Sequence, residues 1–377
     1  MLVVDDSVVI RRMLTDVLAA DAALEVVGAA ANGRIALAKL PQVNPDIVIL
    51  DVEMPELGGL ETLAAIRKGY PTLPVIMFSA LTERGAAITL DALSLSATDY
   101  STKPANVGSA AVAQERVREE LIPKIKGLVG GQAGAGGSRR EQAGAGGSGR
   151  ERTGARGPLR APSPSAPARS RPLPSAPAVV AIGVSTGGPN ALASLLPALP
   201  GDFPVPIVIV QHMPRLFTKL LADRLSAKSA IQVVEGAPGM IVEPGHAYIA
   251  PGDWHMILEP TAGGVQLSTH QGPPENSCRP AVDVLFRSCA AVYGAHVLAA
   301  VLTGMGQDGF RGAELIHEAG GQVLAQDAAT SVVWGMPGYV AQAGLADRVL
   351  PLGEVATEIL RRVDSQPRRP VTAPVGA

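Results

Sequence analysis

The sequence predicts an α/β protein of two parallel-sheet domains joined by a long connector, on three observations. Short apolar runs alternate with helix-period segments at both ends of the chain, the β-α-β-α rhythm of a parallel sheet. A Gly/Ala/Pro/Arg-rich stretch interrupts that rhythm in the middle. The length, 377 residues of which 47% are hydrophobic and 18% charged, suits two domains of ordinary size, each with a buried core.

The first unit is expected over residues 1–122. Strands read at "MLVVDD", "LEVVGAA", "PDIVILD", "PVIMFSA" and "ATDYSTK". Between them, "SVVIRRMLTDVLAAD" and "GGLETLAAIRKGYP" set apolar residues at 3.6-type spacing. The result is a doubly wound parallel sheet.

Residues 123–178 read as a disordered linker and 365–377 as a disordered tail. "QAGAGGSRRE" from Gln132 is followed at once by "QAGAGGSGRE" from Gln142, and then by "GPLRAPSPSAPARSRPLPSAPA". No aromatic residue occurs between Gly127 and Ala178, and there is little to bury. Residues 127–178 hold 8 Arg and 2 Glu, whereas 1–126 and 179–377 each hold 12 basic and 16 acidic side chains. Two acidic blocks around a basic connector exclude an overall nucleic-acid binder. The arginines suit either a solvated tether or an acidic surface.

The second unit, 179–364, resumes with strand "VVAIGV", a helix, strand "PIVIV" and a helix. Close-set strands follow through "GHAYIAPGDWHMILEP" and "GVQLSTH", read as a small antiparallel insertion. Helix "PAVDVLFRSCAAVYG", strand "HVLAAVL", helix "DGFRGAELIHEAG" and strand "GQVLAQD" restore the parallel pattern. No apolar run approaches the ~18 residues of a membrane-spanning helix. "MLVVDDSVVI" has acids where a signal peptide carries positive charge. Cys278 and Cys289 lie eleven residues apart, with neither a Cys-x-x-Cys nor a disulfide framework. A cytoplasmic protein with free thiols and no membrane insertion is expected.

Two constellations carry chemistry. Asp5 and Asp6 end the first strand and Asp51 ends "PDIVIL", at the strand ends where such sheets bind ligands. Three converging carboxylates repel unless a cation neutralises them, and oxygen ligands favour Mg²⁺. A carboxylate beside such a metal can accept a phosphoryl group as an aspartyl-phosphate. Ser79 ends the fourth strand and Lys103 follows the fifth, where a hydroxyl and an ammonium would meet phosphoryl oxygens.

The second constellation starts at Ser185. Gly183-Val184-Ser185-Thr186-Gly187 fits the G-x-S-x-G nucleophile elbow, and it fails both G-x-G-x-x-G and the Walker pattern. The motif alone leaves a nucleophile, an anion site and a plain glycine turn open. All six histidines follow the connector, and of these His212 in "PIVIVQHMP" directly ends a parallel strand; His255 and His317 are weaker candidates. Asp308 in "LTGMGQDGFRGAEL" follows another core strand, as an N-cap or an orienting acid. Ser, His and Asp beyond three parallel strands point to a hydrolytic triad. His212 would take the Ser185 proton and Asp308 would hold the imidazolium. Backbone N–H groups near Thr186 and Met305 would stabilise the oxyanion.

"VVDDS", "ILDVEMP", "MFSA" and "DYSTKP" closely resemble a two-component receiver domain of the flavodoxin-like fold. That resemblance implies Asp51 as phosphoacceptor and Asp5, Asp6 and Asp51 as Mg²⁺ ligands, with the main-chain carbonyl of Glu53 assisting. It implies Ser79, Tyr100 and Lys103 as phosphate-sensing residues. The first strand begins at Met1, several residues shorter than receivers show. "IGVSTGGP", "VIVQHMP", "YIAPGDWHM", "RPAVDVLFRS", "LTGMGQDG" and "GMPGYVAQAGLAD" resemble the CheB family of bacterial chemotaxis protein-glutamate methylesterases. This second resemblance implies Ser185, His212 and Asp308 as the triad, with Thr186 and Met305 near the oxyanion and no cofactor for the esterase reaction. It implies hydrolysis of glutamyl methyl esters on chemoreceptors, releasing methanol, and in some members deamidation of receptor glutamines. A chemotaxis histidine kinase would be the phosphodonor, relieving a receiver that covers the esterase site. The connector is longer than the family's usual linker, which lowers the receiver's effective concentration and predicts leakier inhibition. Two other readings remain: a non-catalytic, phosphorylation-gated binding regulator, and the same esterase in a non-chemotaxis pathway.

Overall fold

Asp5 and Asp51 meet because the first sheet reverses its strand order between the strands that carry them. Strands β1 (Leu2–Val4), β2 (Gly28–Ala30), β3 (Val48–Asp51), β4 (Val75–Ser79) and β5 (Asp99–Thr102) form a wholly parallel sheet in the order β2-β1-β3-β4-β5. Helices α1 (Val8–Ala19), α2 (Gly33–Val43), α3 (Gly59–Gly69), α4 (Glu83–Ser94) and α5 (Ala110–Ala133) connect and cover it. Side-chain oxygens of Ser7, Asn32 and Thr82 cap the N-termini of α1, α2 and α4. Apolar strand residues such as Val3, Ile49 and Phe78 pack under α1 and α5, as a sheet buried on both faces requires.

The protein is described here by a computed structural model covering residues 1–104, 109–133 and 176–364. The expected tail and most of the expected linker lie outside the described residues. The linker's beginning differs from expectation: α5 runs through to Ala133, so 123–133 is helix. Its apolar residues Ile125 and Leu128 are buried in the first domain's core, and this packing overrides the glycines that mark the segment as coil.

The second sheet is also wholly parallel. It comprises β6 (Val179–Val184), β7 (Ile207–Gln211), β8 (Gln232–Glu235), β9 (His246–Ile249), β12 (Val297–Val301), β13 (Gln322–Gln326) and β14 (Arg348–Leu350), in the order β14-β13-β12-β6-β7-β9-β8. Strands β10 (His255–Thr261) and β11 (Gly264–His270) form the expected antiparallel insertion. "GHAYIA" departs from its expected place: β9 pairs with β7 and β8 in the main sheet. Helices α6 (Gly188–Leu195), α7 (Arg215–Lys228), α8 (Val282–Tyr293), α9 (Phe310–Glu318), α10 (Met336–Gln342) and α11 (Leu352–Val363) flank the sheet. The chain leaves β6 toward β7 on one side and returns to β12 on the other. The switch point therefore lies at the carboxyl ends of β6 and β12.

Candidate active site

Ser185 is the first residue past β6, at that switch point. Its N–H donates to the Thr303 carbonyl beyond β12 (3.0 Å), and its carbonyl accepts from Gly188 N (2.8 Å) and Gln211 Nε2 (3.0 Å). Gly187, at φ +77°, then turns the chain into α6. Gly304 lets the β12 loop approach: a Cβ there would lie 2.8 Å from Ser185 Cβ. His212 follows β7 directly, and its N–H donates to the Val184 carbonyl (3.2 Å), one residue before the serine. The half-buried serine and the histidine thus stand on neighbouring strand ends.

Asp308 is brought to them from the β12–α9 loop. Its Oδ2 lies 2.7 Å from His212 Nε2 and accepts from Val282 N (2.6 Å). Its Oδ1 accepts from Asn276 Nδ2 (2.9 Å), Asp283 N (3.0 Å) and Gly309 N (3.0 Å). Burial works to raise the carboxyl's pKa, but His212 and the N–H groups at the start of α8 outweigh it and hold the group below its ordinary value. Burial pushes the neighbouring Asp283 up to about 6 despite its bond from Gly312 N, and the Asp308 charge adds to the rise. Burial disfavours the charged His212 ring. Asp308, and then Cys278, oppose that and raise the imidazole above its ordinary value. Thr186 is buried, its carbonyl accepting from Thr303 Oγ1 (2.9 Å), and Met305 is half-buried in the glycine-rich loop.

No motif spacing in the sequence marks Cys278. Its Sγ lies 3.6 Å from His212 Nδ1, the ring nitrogen that Asp308 leaves unoccupied. Asn276, which braces Asp308, also lies outside every motif, and Asp283 lies within "RPAVDVLFRS" without being marked there; their roles are legible only once the 275–278 turn is folded onto α8.

In the first domain Lys103 Nζ bridges Asp5 Oδ2 and Asp51 Oδ2, at 2.8 Å to each. Both carboxylates are buried, while Asp6 and Glu53 are exposed. Burial carries Asp51 up to about 6; Lys103 lowers it and the Asp5 charge raises it further. Oxygens of Asp5, Asp6 and Asp51 all lie within 4.8 Å of one another, a hard-oxygen set that fits Mg²⁺. Ser79 is buried at the end of β4, with Lys103 N donating to its carbonyl (2.7 Å). Tyr100 points elsewhere: its ring stacks on Phe217 of α7, with centroids 4.9 Å apart.

Comparison with known proteins decides the family. A model described as CheB methylesterase matches residues 180–359, and one described as response regulator receiver domain matches 1–112. A protein-glutamate methylesterase/protein-glutamine glutaminase of Trichodesmium erythraeum is 53% identical, over 96% of this chain and 98% of the relative. The chain belongs to the CheB methylesterase family. A Nocardioides relative of the same description is 52% identical over 100% of this chain and 98% of its own length. The CheB methylesterase catalytic domain of Thermotoga maritima is 44% identical, covering 50% of this chain and 99% of that one, with a TM-score of 0.48. As a CheB family member the chain is a hydrolase carrying a response-regulator receiver domain. No helix among the described residues is long and apolar enough to cross a membrane.

Proposed function

We propose that the protein is a cytoplasmic, phosphorylation-activated esterase that removes methyl groups from glutamyl side chains of chemoreceptors and deamidates their glutamines. The observation that carries this reading is the 2.7 Å contact of His212 Nε2 with a buried Asp308, on the strand edge that also bears Ser185. The catalytic unit is 179–364, and the receiver comprises 1–122 with the helical extension of α5.

In this reading Nε2–H donates to Asp308, which leaves Nδ1 to accept the Ser185 proton. Ser185 Oγ attacks the ester carbonyl, and N–H groups near Thr186 and Met305 stabilise the oxyanion. Methanol leaves with the proton returned from Nδ1. Water, deprotonated by the same nitrogen, then cleaves the acyl-enzyme and regenerates the glutamate. An amide substrate follows the same path with ammonia as leaving group.

Asp51 is the phosphoacceptor and a histidine kinase the donor. Asp5, Asp6, Asp51 and the Glu53 carbonyl are the Mg²⁺ ligands, and the ion neutralises phosphoryl charge when bound. Lys103 and Ser79 meet the phosphoryl oxygens, and Tyr100 reports their movement to α7.

Methanol release from methylated receptor fragments, with Mg²⁺ and a small phosphodonor, tests the proposal. Stimulation by phosphodonor, its loss in Asp51→Ala, and loss of all release in Ser185→Ala are the expected outcomes. Retained release by Ser185→Ala would refute the nucleophile. Failure to release methanol from any receptor would favour the non-catalytic regulator.

A further inference from the structure

We propose that Cys278 and His212 form a binding site for a thiophilic divalent cation, with Zn²⁺ as its reference occupant, and that this ion shuts off the esterase. The inhibitory half rests on the proposed role of Nδ1 as acceptor of the Ser185 proton; the binding half rests on geometry alone.

Cys278 Sγ and His212 Nδ1 are 3.6 Å apart. Zinc binds thiolate at about 2.3 Å and imidazole at about 2.0–2.1 Å, and a near-tetrahedral angle between those bonds holds sulfur and nitrogen about 3.5–3.6 Å apart. The pair's spacing therefore matches that of two ligands on one such ion. Ligand atoms of His212, Cys278 and Asp308 all lie within 4.8 Å of one another. Asp308 is committed to Nε2 and to the N–H groups of Val282, Asp283 and Gly309, so it serves as the outer carboxylate. A carboxylate on the far nitrogen fixes the ring and raises its basicity toward metal.

The thiol is held in place. Residues 275–278 close a tight turn through Glu275 N to Cys278 O (3.1 Å) and Cys278 N to Glu275 O (2.9 Å), with Asn276 and Ser277 at positive φ. Arg287 anchors that turn by two bonds to Glu275, of 3.0 and 2.8 Å. Cys278 is partly exposed, which gives an ion access. The field of Lys124 reaches Cys278, but Asp99 (3.2 Å) and Glu120 (3.8 Å) offset its charge. Water would complete the tetrahedron. The receiver's acidic site offers oxygen alone, so ligand softness sorts Mg²⁺ to one domain and Zn²⁺ to the other.

The full-length protein in excess Mg²⁺ is titrated with Zn²⁺ by equilibrium dialysis, and with Co²⁺ to read thiolate-to-metal charge-transfer absorbance. One ion per chain and a charge-transfer band are expected, both retained in Ser185→Ala and Cys289→Ala. Cys278→Ala and Cys278→Ser should lose the band. Measured against each variant's own Zn²⁺-free rate, the Zn²⁺ concentration for half-inhibition should rise at least about 10–100-fold. Undiminished binding in the Cys278 variants, or a bound ion that leaves wild-type turnover unchanged, overturns the proposal. Absence of methanol release without Zn²⁺ would instead sink the functional reading, and the dialysis and absorbance arms would still decide whether the site exists.

Discussion

In the proposed mechanism Asp308 joins catalysis to architecture in one carboxylate. The N–H groups of Val282 and Asp283 that it accepts are the first of α8, so it neutralises a helix N-terminus as well as orienting His212. An amide in its place would present an NH₂ to one set of those donors and could not hold the same tautomer. Asp308→Asn is therefore expected to lower turnover by about 10⁴-fold with KM little changed, read by steady-state methanol release. The two cysteines differ in the same local terms. Cys289 is fully buried and its thiol is pushed up to about 12, whereas Cys278 is partly exposed beside a histidine. A reagent must reach the sulfur, and burial both shields Cys289 and disfavours its thiolate. A maleimide should modify Cys278 alone in the native protein and Cys289 only after denaturation, with mass spectrometry of peptides as the check.

At the scale of elements, close approach and charge each give a prediction. A Cβ on Gly183 would fall 2.4 Å from Val282 Cγ1, because α8 lies directly on β6. Gly183→Ala should cost about 1–3 kcal/mol in urea unfolding, and it should also slow turnover by moving the N–H that holds Asp308. On α11, Arg361 and then Arg362 outweigh the effect of burial and hold Glu358 down at about 2, against an ordinary value of 4.5. The folded pKa lies below the unfolded one, so this carboxylate stabilises above about pH 4.5 and loses that effect as pH falls toward 2. Glu358→Gln should be less stable than wild type at neutral pH, with the gap closing at pH 2 in urea midpoints. The same elements show what the sequence made legible. Asp5, Asp51, Ser185, His212 and Asp308 each end or follow a strand, and strand ends are read from local pattern. Strands β8 and β14 lie at the two edges of the second sheet, half-exposed and without a continuous apolar run, and β9 alternates like the hairpin that follows it. Pairing partners are a property of the folded sheet. Cys278 stands 66 residues from His212, and a turn between distant elements brings them together, so no spacing announces the contact.

Across the whole molecule the receiver lies over the esterase edge. Val333, next to the Ser185 loop, packs against the core cluster that contains Leu121, Ile125 and Leu128 of α5. Gly127 of α5 faces Val333 and Met305: a Cβ there would lie 3.6 Å from Val333 and 3.8 Å from Met305 Sδ. A second, polar contact between the domains joins α4 and α7. Arg224 pairs with Asp91 at 2.7 Å and donates to the Ala87 carbonyl at 2.8 Å, and the same helix carries Phe217, which stacks on Tyr100. Arg224 is 30% and Asp91 52% exposed, so screening limits the pair to about 0–1 kcal/mol, and the carbonyl bond adds roughly 1 kcal/mol. When the open form is the minor one, its population grows tenfold for every ~1.4 kcal/mol lost from the closed form. Arg224→Ala should then raise basal methanol release about 3–10-fold while leaving the phosphodonor-stimulated rate unchanged. Asp91→Ala should do less, because it leaves the carbonyl bond intact, and the double variant should match Arg224→Ala alone. Equal basal rates in all three would mean that α5 and the aromatic stack hold the receiver closed without this polar contact.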